Sequence, residues 1–250
     1  MQFELRPILS EMKELYLKPI STDRFQEYIS KLQGNTKGDL SLPISGFNPM
    51  AKEHVLQKIR ELQDNGAEMI MKETIAEFNA TWNKTDSAKV DVVLNLADDL
   101  KGGWTNYYAT DFDSKFKINA LVNRNFCTPY FWTSENYTKE LIKNRTTAYL
   151  SRTLFWIKNS KPKTLDEYLA QEIFVNEQLG TKPESIDEQD FSKIEKIYLN
   201  NKESEAYSLL FNFFYGDNAS DNLGYKKFGI IGKTGFDYAQ FMALKRKTFP

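Results

Sequence analysis

The stretch KVDVVLNLADD, residues 89–99, constrains the fold more than any other part of this chain. It is rich in β-branched residues and alternates in part, so residues 89–96 read as a strand. The 82 residues before it carry only helical patterns, and a lone strand cannot exist without partners. Two partners are predicted just downstream. KFKINALV alternates through Phe116, Ile118, Ala120 and Val122, and NFCTPYFWT follows it, with Pro129 pushing that segment towards a sheet edge or a bend. YKKFGII, residues 225–231, reads as a late fourth strand. Strands so close together imply hairpins, so the expectation is α+β: one helix-dominated globular domain over 1–250 with a small, mainly antiparallel central sheet. Residues 1–82 would form an N-terminal helical subregion, and 83–250 the sheet with further helices.

Helix punctuation is clear on both sides. Pro7 suits a first turn ahead of Ile8, Leu9, Met12, Leu15 and Tyr16 at 3–4 spacing, a stripe that also takes in Leu5. Ser21 and Thr22 are N-cap candidates for the helix bearing Phe25, Tyr28, Ile29 and Leu32, which Gly34 ends. Asn65-Gly66 breaks a later helical pattern that runs to Trp82. After the sheet, residues 135–158 read as one long helix, and Thr164 with Glu167 forms a capping box for the next. Residues 216–224, GDNASDNLG, read as a flexible turn.

Charge and rare residues exclude several chemistries. Thirty-three basic and 34 acidic side chains leave a net charge of −1, without the basic surplus of a nucleic-acid binder. The stretch MQFELRPILSEMKELYL lacks the apolar core of an export signal, and no apolar run is long enough to span a membrane. Cys127 is the only cysteine, which suits a reducing, cytoplasmic setting. His54 is the only histidine, so a multi-histidine zinc site is impossible in one chain, and neither zinc nor haem is expected. His54 flanks the stripe of Val55, Ile59 and Leu62 and reads as a dispensable helix-surface residue.

GIIGKTG, residues 229–235, resembles the end of a phosphate-binding loop, but that loop needs a glycine five residues before Gly232, where Lys227 stands. The backbone is too short to wrap a phosphate. It reads as a tight turn.

The candidate site comes from two other features. The segment after the first strand, DLKGGWTNYYATDFDS, reads as a loop whose Trp104, Asn106, Tyr107 and Tyr108 suit an aromatic ligand wall. Arg145 and Arg152, seven apart on the long helix, and Arg124 could clamp an anion. The leading expectation is a soluble intracellular protein that binds a small molecule or a protein partner, with no nucleic acid and no membrane. The alternative is a magnesium-dependent hydrolase or phosphoryl-transfer enzyme acting on an anionic substrate, in which Asp98, Asp99, Asp111 and Asp113 hold the metal.

Overall fold

The computed structural model describes residues 1–34, 39–51, 53–82, 88–100, 105–180 and 188–248. The chain divides into two compact units, 1–150 and 151–250.

The first unit opens with a strand, not a helix: β1, Gln2–Leu5. Helices α1 (Leu9–Leu17), α2 (Thr22–Gln33), α3 (Glu53–Asp64) and α4 (Ala67–Trp82) follow. Ile8, at the N-cap of α1, has no capping side chain, and the Glu68 carboxylate at the start of α4 serves instead, accepting from Ile8 N at 2.6 Å and Leu9 N at 2.9 Å. Ser21 caps α2 and Gly66 turns α3 into α4, as the sequence predicts.

Next come β2 (Lys89–Val92) and β3 (Asn95–Ala97), then α5 (Tyr107–Phe116), α6 (Asn119–Val122), β4 (Phe126–Cys127) and β5 (Tyr130–Trp132). β2 lies between β1 and β4, and β3 pairs with β5. Val93 N donates to Cys127 O and Asn95 N to Pro129 O, both at 2.9 Å, so 89–97 and 126–132 run as one unbroken ladder.

Every pairing among the described strands is parallel, which overturns the expected antiparallel sheet. Parallel neighbours cannot be joined by a hairpin; they need a crossover of a dozen or more residues. Residues 98–125 are that crossover, and this is why KFKINALV is not a strand. Phe112 and Phe116 bury one face of α5, while Ala120 is exposed and Val122 only half-buried in α6. The strand at 89–97 is also covered on both faces. From Val92 to Ala97 every residue is buried, as a parallel sheet packed between other layers requires.

Where β1 ends at Leu5, side chains continue its role. Asn95 accepts from Gly46 N at 2.8 Å and donates to Pro43 O at 2.5 Å, tying the 43–46 loop to the strand. On the free edge of β1, Asn79 accepts from Phe3 N at 3.0 Å and donates to Phe3 O at 2.8 Å. The outward backbone groups of Phe3 on this edge are thereby satisfied.

Helix α7 (Lys139–Lys158) runs from the first unit into the second, which is helical: α8 (Leu165–Leu179), α9 (Glu188–Asn201), α10 (Tyr207–Asn222) and α11 (Thr234–Thr248). The Thr164–Glu167 capping box is present. Residues 217–222 are helical rather than a flexible turn, after a kink at Gly216 whose φ is 75°. A Cβ on Gly216 would lie 2.4 Å from Gly232 O, so only glycine fits there. Among the described residues no helix is long and apolar enough to cross a membrane.

Candidate functional site

The carboxyl ends of the central strands bring polar side chains together. Asp98 and Asp99 follow β3, and Thr133 and Ser134 follow β5. Thr133 N donates to Ala97 O at 3.0 Å, which holds the two ends side by side. The Thr133 hydroxyl lies 3.0 Å from Asp98 Oδ1 and 3.0 Å from Asp99 Oδ1. Ser134 donates to Asp99 from its backbone at 3.0 Å and its hydroxyl at 2.6 Å. Leu100 N reaches Asp98 Oδ1 at 3.3 Å, and Thr105 Oγ1 donates to Asp98 O at 2.6 Å. In parallel α/β folds this end of the sheet is where ligands are held, because loops converge there on a rigid frame.

Into this frame α3 delivers His54. Its Nε2 lies 2.9 Å from Asp98 Oδ2, a carboxylate only 4% exposed. The expectation of an open helix-surface position is corrected here. His54 is 19% exposed and bonded to a buried anion. A carboxylate accepts only, so Nε2 carries a proton, and in a neutral ring Nδ1 then keeps its lone pair. Among the described residues Nε2 has the Asp98 carboxylate, and no partner is seen for Nδ1. An imidazole held through Nε2 by a buried aspartate can, when its ring is neutral, accept a hydrogen bond at Nδ1.

The sequence-predicted residues are distributed as follows. Asp98 and Asp99 meet at the strand ends. Asp111 and Asp113 lie on α5, not in a loop, and each pairs four residues along the helix, with Lys115 at 2.5 Å and Lys117 at 2.8 Å. Among the described residues no group of three or more His, Cys, Asp or Glu side chains could hold a metal. Asn106 is the N-cap of α5, accepting from Ala109 N at 3.1 Å. Tyr107 packs on Trp132 at 4.6 Å between ring centroids and edge-on to Tyr108 at 5.4 Å. Trp104 lies outside the described residues, as do Gly102 and Gly103.

The arginines have internal partners. Arg145 forks onto Glu135 at 2.5 and 2.7 Å and donates to Tyr130 O at 3.2 Å. Burial acts to lower its pKa, but the hydrogen bond and charge of Glu135 outweigh this and hold it above its ordinary value. Arg124 is exposed, 3.9 Å from Asp39. In the second unit Arg152 forks onto Glu172 at 2.8 and 2.6 Å, and Gln171 links the same carboxylate to the indole of Trp156.

The first two donors of the 229–235 stretch, Gly229 N and Ile230 N, are taken by a carboxylate of the same unit. The Asp217 carboxylate accepts from Phe228 N and Gly229 N at 3.1 Å, Ile230 N at 3.3 Å and Asn212 Nδ2 at 3.0 Å. This corrects the late strand at 225–231, whose backbone bonds a carboxylate rather than a sheet. Burial acts to raise the Asp217 carboxyl, but these bonds together hold it below its ordinary value.

The first unit therefore presents a parallel α/β frame with a histidine–aspartate pair at its strand ends. No family model matches the chain, and neither a curated protein nor a solved structure matches it.

Proposed function

We propose that this protein binds a small molecule at the carboxyl ends of its parallel strands, with His54 Nδ1 accepting a proton or hydrogen bond from the ligand. One observation carries the reading: the only histidine in the chain is bonded through Nε2 to the buried Asp98 at 2.9 Å, on a side chain 19% exposed. A buried carboxylate behind an imidazole fixes its tautomer and steadies positive charge on the ring. Thr133 and Thr105 hold Asp98 in place at the end of β3, and His54 reaches it from α3. Tyr107, packed on Trp132 at the end of β5, supplies aromatic surface nearby in the same frame. A cytoplasmic setting fits a chain whose single cysteine, Cys127, is buried.

The magnesium-dependent alternative has weaker support. Asp111 and Asp113 are committed to lysines on their own helix, which leaves Asp98 and Asp99 as the only adjacent carboxylates of that set. The test is a thermal-shift screen of small hydrogen-bond donors, comparing wild type with His54→Gln. A ligand that binds only the folded state raises the melting temperature by linkage. Hits that stabilise wild type and not His54→Gln are expected. Hits that stabilise both equally would remove His54 from the site.

A further inference from the structure

A second feature of the first unit is independent of His54. Arg24, the third residue of α2, is 3% exposed. Its Nη1 donates to Lys18 O at 3.2 Å and its Nη2 to Ala51 O at 3.1 Å. Its Nε–H has no partner among the described residues. A guanidinium carries five N–H donors, so two are used and the charge is met only by carbonyl dipoles. Among the described residues no carboxylate lies within ion-pair distance of it. Its one close electronic partner is the ring of Tyr16, 4.5 Å from the guanidinium carbon. Buried charges are ordinarily paired, and Arg145 and Arg152 in this same chain both are. Arg24 is the exception.

What lies against Arg24 is space. A hollow of about 280 Å³ is lined by Arg24, Tyr16, Leu17, Ile20, Ala51 and Leu56, with Lys18, Pro19 and Glu53 completing it. The other charges there already have partners: Lys18 pairs with Glu27, and Glu53 with Arg60 at 3.5 Å. Among the described residues, the uncompensated charge of the hollow is therefore that of Arg24. Beside the charged Lys18 and Glu53, its rim carries two aliphatic side chains left in water, Leu17 57% and Ile20 48% exposed. Large aliphatic side chains left in water beside a buried cation describe a ligand with two ends. The hollow falls just below the roughly 300–1,000 Å³ of drug-sized ligand sites, so the ligand is small.

We infer that this hollow is a binding subsite for a small amphipathic anion, a carboxylate carried on a short apolar body. The carboxylate takes the unused N–H donors of Arg24, whose planar fork matches its two oxygens. The apolar body covers Leu17, Ile20 and Leu56. Burial pushes the Arg24 pKa down from its ordinary value while Tyr16 opposes this, and a bound anion restores the missing compensation.

The probes are octanoate, octanamide and acetate, titrated into the full chain by calorimetry. Octanoate is expected to bind saturably, and octanamide, of the same shape without the charge, at least about tenfold more weakly. Acetate, lacking the tail, should also bind at least about tenfold more weakly. Arg24 holds two backbone carbonyls, so its removal endangers the fold; the informative variant is Ile20→Glu on the exposed rim. It should melt like wild type and lose octanoate affinity by about tenfold or more. His54→Gln should bind octanoate as wild type does, which separates this subsite from the strand-end site. Absence of saturable octanoate binding, octanamide binding as tightly as octanoate, or an Ile20→Glu variant that binds octanoate unchanged would each overturn the inference.

Discussion

Replacing Asp217 tests whether a single carboxylate organises the turn before α11. Its two oxygens accept from three consecutive backbone N–H groups, Phe228 to Ile230, and from Asn212 Nδ2, at 3.0 to 3.3 Å. Hydrogen bonds to a charged group contribute about 1.5–3 kcal/mol each when buried. Asp217 is half-buried, so water can replace part of what is lost. Asp217→Ala should therefore cost about 2–3 kcal/mol rather than the full sum. Asp217→Asn keeps Oδ1, which holds most of the bonds, and gives up the charge and the Oδ2 bond to Gly229, for about 1 kcal/mol. At roughly 2–4 °C per kcal/mol, the alanine variant should melt about 5–10 °C below wild type at pH 7. The dependence on pH has a definite sign. The carboxyl is held below its ordinary value of 3.8, so the unfolded chain takes up the proton first as the pH falls. The Asp217 contribution is thus complete above 3.8 and is lost as the pH drops through the lower folded value. Thermal melts of the three proteins across this range should show a gap between wild type and Asp217→Ala that is constant near neutrality and narrows in acid. Equal melting temperatures at pH 7, or a gap that widens in acid, would refute the assignment.

Other substitutions probe the packing of each unit. Glu172→Gln leaves Arg152 buried without the carboxylate that forks it and should cost about 3–5 kcal/mol by chemical denaturation, while Arg152→Met with Glu172→Leu recovers much of this. Gly46→Ala places a Cβ 2.8 Å from Asn95 Oδ1; it should cost about 1–3 kcal/mol in the same assay and speed amide exchange at Gly46. Gly235→Ala places a Cβ 2.2 Å from the backbone oxygen of Phe213, where nothing flexible can yield, and should give little folded protein as judged by circular dichroism.

Local signals in the sequence translated directly into structure. Ser21, Gly66 and the Thr164–Glu167 pair act on their own neighbours, so spacing alone identifies them. The direction of the strands did not translate, because it depends on partners far away. Gln2–Leu5 is too short to display a period, yet it pairs with Lys89–Val92 along its whole length. The continuous apolar run from Val92 to Ala97, interrupted only by Asn95, was the available signal: a strand buried on both faces belongs to a parallel sheet. The segment at 116–122 misled because Phe116 and Ile118 alternate by chance at the seam between α5 and α6. His54 and Asp98 are 44 residues apart, and no spacing rule joins them. The aspartates after the strand were visible as candidates, whereas their tethering to Thr133 and Ser134 followed only from the parallel register. Nothing near Arg24 in the sequence marks it, because its burial depends on the distant loop at Ala51.

The His54–Asp98 pair is the centre of this account, and a single histidine makes it directly observable. Nitrogen NMR of the imidazole gives one pair of ring signals from the whole chain, without overlap. In wild type with a neutral ring, the account predicts one tautomer, with the proton on Nε2 and Nδ1 unprotonated, and loss of that preference in Asp98→Asn. Ligands found by thermal shift should move the Nδ1 signal and leave the melting temperature of His54→Gln unchanged. An imidazole protonated on Nδ1, or a pair of signals indifferent both to Asp98→Asn and to every stabilising ligand, would contradict it.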